Sequence, residues 1–324
     1  AQFLMVLPAL RSFGFKFELH FDLRDPRIGR VIKLLLPVTI GLGVINFDIV
    51  INSVVGSLIS DQAPRAIDAA FRIYMLPQGI FSVAIATVLF PALSRLAARE
   101  DHAGIGALTA NGMRQILLLL VPAAALQLAL ATPIVRLVFQ HGAFGPESTQ
   151  LVADALFWFA FSMPFAGLNL LLTRAFFSIQ RPWLPTVLAC VAIAVNAAVS
   201  ILTYEALGIA GPVLGTALGL AVMATLQGAA LSRELGGIQA GRTVLAALVV
   251  LVSAAASATL GYFSWSLLAD LLGESLIAQV VSVGVALSLG GLLYAAAIKL
   301  SGLKEGKQAY DLAAAPFKRL RGGA

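Results

Sequence analysis

Long apolar segments constrain this chain more than any other feature of its sequence. Eight segments of about 20 residues or more carry few charges, and that length suffices to cross the bilayer core as a helix. Overall, 59% of the residues are hydrophobic and 12% are charged, whereas a soluble domain averages about 25% charged residues. The sequence therefore predicts an all-α polytopic membrane protein with about eight transmembrane helices. The predicted spans are Leu34–Ile59, Arg72–Leu96, Gln115–Phe139, Leu151–Ser178, Trp183–Tyr204, Gly208–Leu231, Val244–Leu268 and Leu276–Leu300.

The loops between these spans alternate in charge, which predicts an orientation. Lys and Arg dominate the segment before the first span, every second loop after it and the C-terminal tail. The other loops carry mainly acids: Asp61, Asp68, Glu147, Glu205, Asp270 and Glu274. Because basic residues mark cytoplasmic loops, both termini are predicted to be cytoplasmic. This pattern also accounts for the net charge of +6, and with no concentrated basic face no nucleic-acid partner is expected.

The first residues look unlike a signal peptide. Residues 2–10 are apolar but too short to span a membrane, and they lack a charged start and a cleavage site. We expect residues 1–33 to be the end of a preceding helix followed by a basic cytoplasmic linker. The chain is accordingly expected to be the C-terminal portion of a longer protein.

Arg72 is the first candidate for a binding residue, because it stands at the start of a long apolar run. An arginine facing lipid at that depth would cost roughly 2.5–3.5 kcal/mol on insertion scales. Pro77 follows by little more than one turn and is expected to kink the helix. A kink beside a cation suits an anionic ligand such as a phosphate. The alternative is that the guanidinium extends to the outer headgroups, or pairs with Asp68 one turn earlier.

Arg174 is the second candidate for a substrate contact. It ends the fourth predicted span, and Arg181 lies in the tight loop that follows. The two arginines are explained as cytoplasmic anchoring under the positive-inside rule. The alternative is a substrate contact from the cytoplasmic side.

Oxygen-bearing side chains inside the apolar segments form a candidate cation site. Asp48 and Asn52 are one turn apart on the first span, and Asn196 and Ser200 are one turn apart on the fifth. Thr216 lies in the next span. Carboxylate, amide and hydroxyl oxygens suit a hard cation such as Na⁺. The alternatives are a protonated Asp48, one exposed to a water-filled cavity without a coupling role, and ordinary interhelical hydrogen bonds.

Other patterns point to close helix packing and away from catalysis. Small residues recur every four positions in two ridges: Gly211, Gly215 and Gly219, and Ser253, Ser257 and Gly261. Such ridges let helix backbones approach closely in lipid, and a mobile, gating contact is the alternative. The sequence contains no GxxxxGK[ST], HExxH or GxSxG motif. We therefore expect neither an enzyme nor a bound cofactor.

Four sequence blocks carry a family resemblance that covers nearly the whole chain. The blocks are DLRDPRIGRVIKLLLPVTIGLG, FRIYMLPQGIFSVAIATVLFPALSRLAAR, VRLVFQHGAF and LLTRAFFSIQRPWLPT. In order and spacing they resemble the MurJ/MviN family of lipid II flippases. That family belongs to the multidrug/oligosaccharidyl-lipid/polysaccharide exporter superfamily.

The resemblance implies a division of the chain. Family members usually have fourteen spans in two six-helix lobes and a final pair. By this comparison residues 34–232 form the second six-helix lobe, residues 243–300 form the final two-helix groove for the lipid tail, and residues 301–324 form a basic cytoplasmic tail. The first lobe is absent and is an expected partner.

The resemblance also implies roles for individual residues. Arg72 matches the second-lobe cavity arginine, which is thought to engage the lipid-linked pyrophosphate. Some members hold Na⁺ between the first, fifth and sixth spans of this lobe. Asn196 and Thr216 fall at matching places, and either Asp48 or Asn52 could supply the first-span ligand. Ser200 departs from the family pattern, because many members have Asn or Asp at this position. Pro212 stands near the position of a backbone-carbonyl ligand in the family.

The implied function is lipid II flipping across the bacterial inner membrane by alternating access. The expected partners are lipid II and the membrane lipids, with Na⁺ as a possible coupling ion. One alternative is a related exporter of a drug or of another lipid-linked glycan. Another is a non-transporting membrane scaffold of the cell-wall machinery.

Overall fold

The computed structural model of the chain describes residues 26–142, 144–273, 275–303 and 305–306. Residues 1–25 and 307–324, which include most of the predicted linker and tail, lie outside this description. Within the described residues the secondary structure is entirely helical. The helices are α1 Pro26–Ile59, α2 Ala63–Ala98, α3 His102–Ala129, α4 Ala131–Phe139, α5 Pro146–Ser178, α6 Trp183–Leu207, α7 Ala210–Leu235, α8 Ala240–Leu272 and α9 Leu276–Leu300.

The predicted membrane class and helical fold are confirmed. Seven of the described helices, α2, α3 and α5 to α9, are long and apolar enough to cross a membrane. Helix α1 covers the predicted span Leu34–Ile59 but begins earlier, at Pro26, within the segment predicted as a linker. Its shorter apolar stretch is Asn46–Ile59. Proline suits the first helical position because its missing N–H would have no partner there.

The third predicted span, Gln115–Phe139, is two helices rather than one. Helix α3 begins at His102 because Asp101 caps it, with the side chain accepting from Gly104 N at 2.8 Å. The helix ends at Ala129, and the backbone of the next residue, Leu130, leaves the helical region at φ −115° and ψ 22°. Pro133 follows, and it cannot donate to the carbonyl of Ala129. Hydropathy alone misses this break because both sides of it are equally apolar.

Helix α2 is longer than its predicted span and contains two internal prolines. It runs from Ala63 to Ala98 through Pro77 and Pro91 without a break. Each proline removes one backbone hydrogen bond, yet neither ends the helix. Arg72 and Asp68 therefore lie within one continuous helix, about one turn apart.

Helix α5 lies at the centre of the bundle. It contacts α2, α3, α4 and α7. Phe159, Met163 and Leu171 on this helix are fully buried, and the Phe159 ring meets those of Phe71 and Tyr74 at centroid distances of 5.7 and 5.4 Å. A helix that is apolar on all faces is expected in the interior of a bundle.

The glycine ridge of α7 lies against α6, as its spacing predicts. A Cβ on Gly219 would stand 2.5 Å from the carbonyl oxygen of Ala192, and one on Gly211 would stand 3.0 Å from the Tyr204 backbone. Only glycine lets the two backbones approach this closely. The α6–α7 pair thereby brings polar side chains of both helices together within the bundle.

The last two helices form a hairpin that docks on α3. Helix α8 packs on both α3 and α9. Tyr294 Oη of α9 donates to the carbonyl oxygen of Leu118 at 2.6 Å, and Leu118, Val250 and Ile298 bury one another. Within the hairpin, Ser257 Oγ donates to Gly290 O at 2.6 Å. The final pair is thus attached to the lobe through α3.

Candidate functional site

Four of the predicted ligand residues meet at the junction of α1, α6 and α7. Asp48 and Asn52 come from α1, Asn196 from α6 and Thr216 from α7. Asn52 Nδ2 lies 2.9 Å from Thr216 Oγ1 and 3.4 Å from Asp48 Oδ2. Asn196 Nδ2 donates to Asp48 Oδ1 and lies 3.4 Å from Thr216 Oγ1. These four residues are called the oxygen cluster below.

Two neighbouring groups complete the surroundings of the oxygen cluster. Ser200 Oγ donates to Asn196 Oδ1 at 2.8 Å, and Thr216 Oγ1 lies 3.3 Å from the carbonyl oxygen of Pro212. Ser200 therefore contacts the cluster, at the position where the resemblance implied an Asn or Asp. The resemblance left Asp48 and Asn52 as alternatives for the first-span ligand, and both side chains reach the cluster.

Burial and chemistry make the oxygen cluster suitable for a small hard cation. Asn52, Asn196 and Thr216 are buried and Asp48 is half-buried. Asn52 Oδ1 is buried without a hydrogen-bond partner among the described residues. A buried carboxylate needs a counter-charge, a proton or strong hydrogen bonds. The carboxylate of Asp48 and the hydroxyl of Thr216 are oxygen ligands that Na⁺ accepts, whereas both asparagines present Nδ2 to Asp48. Nowhere in the described part of the chain do three His, Cys, Asp or Glu side chains converge as a metal site.

Arg72 lies on the surface of α2 and not in the buried core of this lobe. Its side chain is 73% exposed, and Nε lies 2.9 Å from Asp68 Oδ2. The ion pair that the sequence suggested as an alternative is therefore formed. On the opposite side of the helix, Phe71 and Tyr74 pack towards α5. Asp68 thus contacts the guanidinium through Nε, and the exposed remainder of the Arg72 side chain is accessible to an external anion.

Arg174 stands far from Arg72, near the other end of the bundle. Its guanidinium carbon lies 5.5 Å from the ring centroid of Phe90 on α2, within cation–π range. Arg72 and Phe90 are separated by roughly 27 Å along the α2 axis at 1.5 Å per residue. The two candidate substrate contacts therefore do not form one site.

One buried ion pair was not predicted from the sequence. Arg114 Nε of α3 lies 2.5 Å from Glu305 Oε1, just beyond α9. The two residues are 191 positions apart, and each looks like an ordinary loop charge in the sequence. A contact between segments this distant leaves no local spacing pattern.

Comparison with known proteins identifies the family of this chain. The family model described as "Lipid II flippase MurJ" matches residues 1–281, most of the chain. The chain belongs to the MurJ family. It is accordingly a multi-pass membrane protein of a bacterial flippase family, as the resemblance predicted.

The MurJ relatives that the chain matches are longer than the chain itself. "Probable lipid II flippase MurJ" of Rhizobium meliloti (strain 1021) is 30% identical over 210 residues, which is 65% of this chain and 39% of the relative. The protein of the same name from Bdellovibrio bacteriovorus is 26% identical over 293 residues, 90% of this chain and 55% of the relative. The matched part of the chain thus spans between about two fifths and just over half of these relatives.

Solved structures show the same fold. A structure described as "Lipid II flippase MurJ, inward closed conformation" superposes with a TM-score of 0.69 at 20% identity, covering 92% of this chain and 59% of that one. An outward-facing multidrug resistance MATE family transporter of the MOP superfamily gives a TM-score of 0.54 at 14% identity, covering 83% and 62%. The chain therefore shares the fold of these two transporters.

Proposed function

We propose that this chain is the second lobe and final helix pair of a transporter that flips lipid II across the bacterial cytoplasmic membrane. The observation that carries the proposal is the MurJ family match over residues 1–281, supported by the shared fold. The sugar–pyrophosphate headgroup would occupy a cavity between this lobe and a further six-helix lobe. The protein would work by alternating access and without covalent chemistry.

In this proposal Arg72 contacts the lipid-linked pyrophosphate. Its side chain is exposed and charged, and Asp68 holds it from one side only. A charge-assisted hydrogen bond to a phosphate is stronger than a neutral one, and arginine can make two in parallel. The ion pair with Asp68 would orient the guanidinium while the cavity is empty.

Arg174 would contact the substrate at the cytoplasmic end of the transport path, opposite to Arg72. Under the positive-inside rule, the loop charges favour an orientation with Arg72 near the outer ends of the spans, Arg174 near their cytoplasmic ends and both termini cytoplasmic. Phe90 holds the Arg174 guanidinium at 5.5 Å. Two cations at the two ends would receive the same anion in two states of the cycle.

Na⁺ at the oxygen cluster would be the coupling ion. The cluster joins α1 to the α6–α7 pair, so a bound cation would bias how these helices stand relative to one another. Asp48 would supply the negative charge, and Asn52, Asn196 and Thr216 would supply neutral oxygens once the asparagine amides turn their oxygens inward. The unpartnered Asn52 Oδ1 supports this assignment.

Replacing Arg72 tests the proposal. In nanodiscs, Arg72→Ala is expected to weaken lipid II binding by the chain about 10-fold to 100-fold, because one hydrogen bond to a charged group is worth about 1.5–3 kcal/mol. In a protein of full family length that contains this chain, the same change should abolish flipping in flippase-depleted cells while the protein still inserts. Binding is measured by titration with lipid II, and flipping by cell survival.

Asp68→Ala is the matched control. It removes the same ion pair but keeps the cation, so lipid II binding should be retained or tightened. Equal losses in both variants would show that Arg72 acts only through Asp68, and normal survival with Arg72→Ala would exclude its role. A third outcome would favour a related exporter: cell survival still depends on Arg72, but the chain binds a drug or a different lipid-linked glycan and does not bind lipid II.

A further inference from the structure

The most buried ion pair in the described part of the chain joins Arg114 and Glu305, away from the oxygen cluster and the two candidate arginines. Arg114 is 7% exposed and Glu305 is 7% exposed, although one lies in α3 and the other follows α9. Their side chains meet at 2.5 Å. Removing two charges from water is costly unless they are paired closely and hydrogen-bonded. A pair of this kind is therefore a specific connection between the two segments.

The first turn of α8 also contacts Arg114. Thr243, at the start of α8, is also buried, and its Oγ1 lies 3.5 Å from Arg114 Nη1. The side chains of Arg114, Thr243 and Glu305 are called the latch below. The latch joins the beginning of α8, the segment after α9 and the flank of α3. It therefore collects both cytoplasmic ends of the final hairpin at one point.

Charge and local geometry hold Glu305 in this position. Burial alone would raise the pKa of Glu305, but hydrogen bonds from its own backbone amide and from Arg114, with the charges of Arg114 and Arg242, outweigh burial and lower it. Gly306 lies so close to α9 that a Cβ there would stand 2.4 Å from Ile298 Cγ2. Residues 305–306 thus lie against α9, and Glu305 presents an ionised carboxylate to Arg114.

Further contacts of the hairpin lie elsewhere along α3, and α9 also contacts α4. Tyr294 donates to the Leu118 carbonyl, and a Cβ on Gly261 or Gly290 would touch Leu126, at 3.2 and 2.8 Å. Leu118 and Leu126 are one and three turns further from the cytoplasmic end than Arg114. Apolar packing secures the middle of the hairpin, and the latch secures its cytoplasmic end.

We propose that Glu305 is a positioning residue that fixes the cytoplasmic end of the α8–α9 hairpin to α3. Without its carboxylate, Arg114 loses the negative charge that pairs with it, and the segment after α9 loses this connection to α3. The ends of α8 and α9 then separate from α3 while the middle of the hairpin stays docked. This inference goes beyond the transport function and does not depend on the cargo.

The test is a distance measurement on the whole chain in nanodiscs without substrate. Cys190, the single cysteine, is first replaced by alanine. Spin labels at Ala107 and Leu245, both exposed, report the cytoplasmic end of the α3–α8 contact. Labels at Val138, on the neighbouring helix α4, and at Leu271 on α8 report the outer end of the bundle. Glu305→Gln should broaden the inner distance distribution and leave the outer one unchanged.

Amide hydrogen exchange supplies a second reading. Exchange in the first turn of α8 and just after Leu300 should become about 100-fold faster in Glu305→Gln, because removing one member of a buried ion pair leaves the other charge buried alone. The exchanged-charge variant Arg114→Glu with Glu305→Arg should recover much of the protection. Glu234→Gln, which breaks the exposed pair with Arg181 at 3.0 Å, should change neither reading.

Two results would overturn the proposal. One is an unchanged inner distance and unchanged exchange in Glu305→Gln. The other is equal broadening at both ends, which would mean general destabilisation instead of a local attachment. If Glu305→Gln does not fold, the exchanged-charge variant decides: its failure to restore the inner distance counts against the latch. Lipid II binding is not part of these measurements, so a failure of the proposed function leaves them interpretable.

Discussion

Asp48→Asn is expected to abolish the stabilisation of this chain by Na⁺. The substitution keeps the size of the side chain but removes the only carboxylate of the oxygen cluster. A cation that binds only the folded state stabilises it by about 2.7 kcal/mol when its concentration is 100 times its dissociation constant. The thermal midpoint of the wild-type chain in nanodiscs should therefore rise in NaCl relative to choline chloride at equal ionic strength. In Asp48→Asn the two midpoints should coincide.

Asp154→Asn provides the control for a lost carboxylate. Asp154 is exposed on α5 and accepts from Gln150 at 2.7 Å, away from the cluster. Its replacement should leave the Na⁺-dependent shift intact. A full shift in Asp48→Asn would contradict the proposed sodium site, and so would the absence of any shift in the wild-type chain. Thr216→Val, which removes one neutral oxygen, should reduce the shift.

Gly215→Ala is expected to destabilise the bundle and to disturb the oxygen cluster at the same time. The added Cβ would stand 2.4 Å from Asn196 Oδ1, 2.6 Å from Ser200 Oγ and 2.7 Å from the Asn196 carbonyl oxygen. The backbone of α6 cannot yield as a flexible side chain would, so α6 and α7 must separate. Overpacking of this kind costs typically 1–3 kcal/mol. The midpoint of thermal unfolding should fall, and the response to Na⁺ should weaken because Asn196 moves.

Gly228→Ala on the same helix isolates the steric effect. A Cβ at Gly228 meets no atom within 4 Å. Alanine there should be neutral or stabilise by up to about 1 kcal/mol, because glycine in a helix interior costs conformational entropy. Equal midpoints for the two variants would show that the α6–α7 contact is looser than the described distances.

The fold was predictable because membrane helices leave a strong one-dimensional signal. Apolar length identified the spans, and the positions of Gly211, Gly215 and Gly219 identified the face of α7 that contacts α6. The break at Leu130 was missed because Pro133 acts through a single lost hydrogen bond and not through hydropathy. The early start of α3 was missed because its first turns are less apolar and rely on the Asp101 cap.

The oxygen cluster was predictable in part. One-turn spacing placed Asp48 beside Asn52 and Asn196 beside Ser200, and an aspartate inside an apolar helix calls for an explanation. Their meeting across three helices rested on the family resemblance, because the partners are 148 to 168 residues apart. The same separation hid the latch, for which the sequence offered neither a motif nor an intramembrane charge. The environment of Arg72 stayed open until the ion pair with Asp68 was seen.

The unbroken length of α2 has a mechanical consequence. Its exposed arginines Arg72 and Arg95 are roughly 35 Å apart along the helix axis, slightly more than the ~30 Å hydrocarbon core. A helix with cations at this spacing is fixed in depth, since a slide of one turn in either direction would draw one guanidinium into hydrocarbon. Tilting shortens the vertical separation only gradually and is tolerated. The lobe that contains α2 is therefore expected to turn about an axis in the membrane plane and not to move as a piston along the membrane normal.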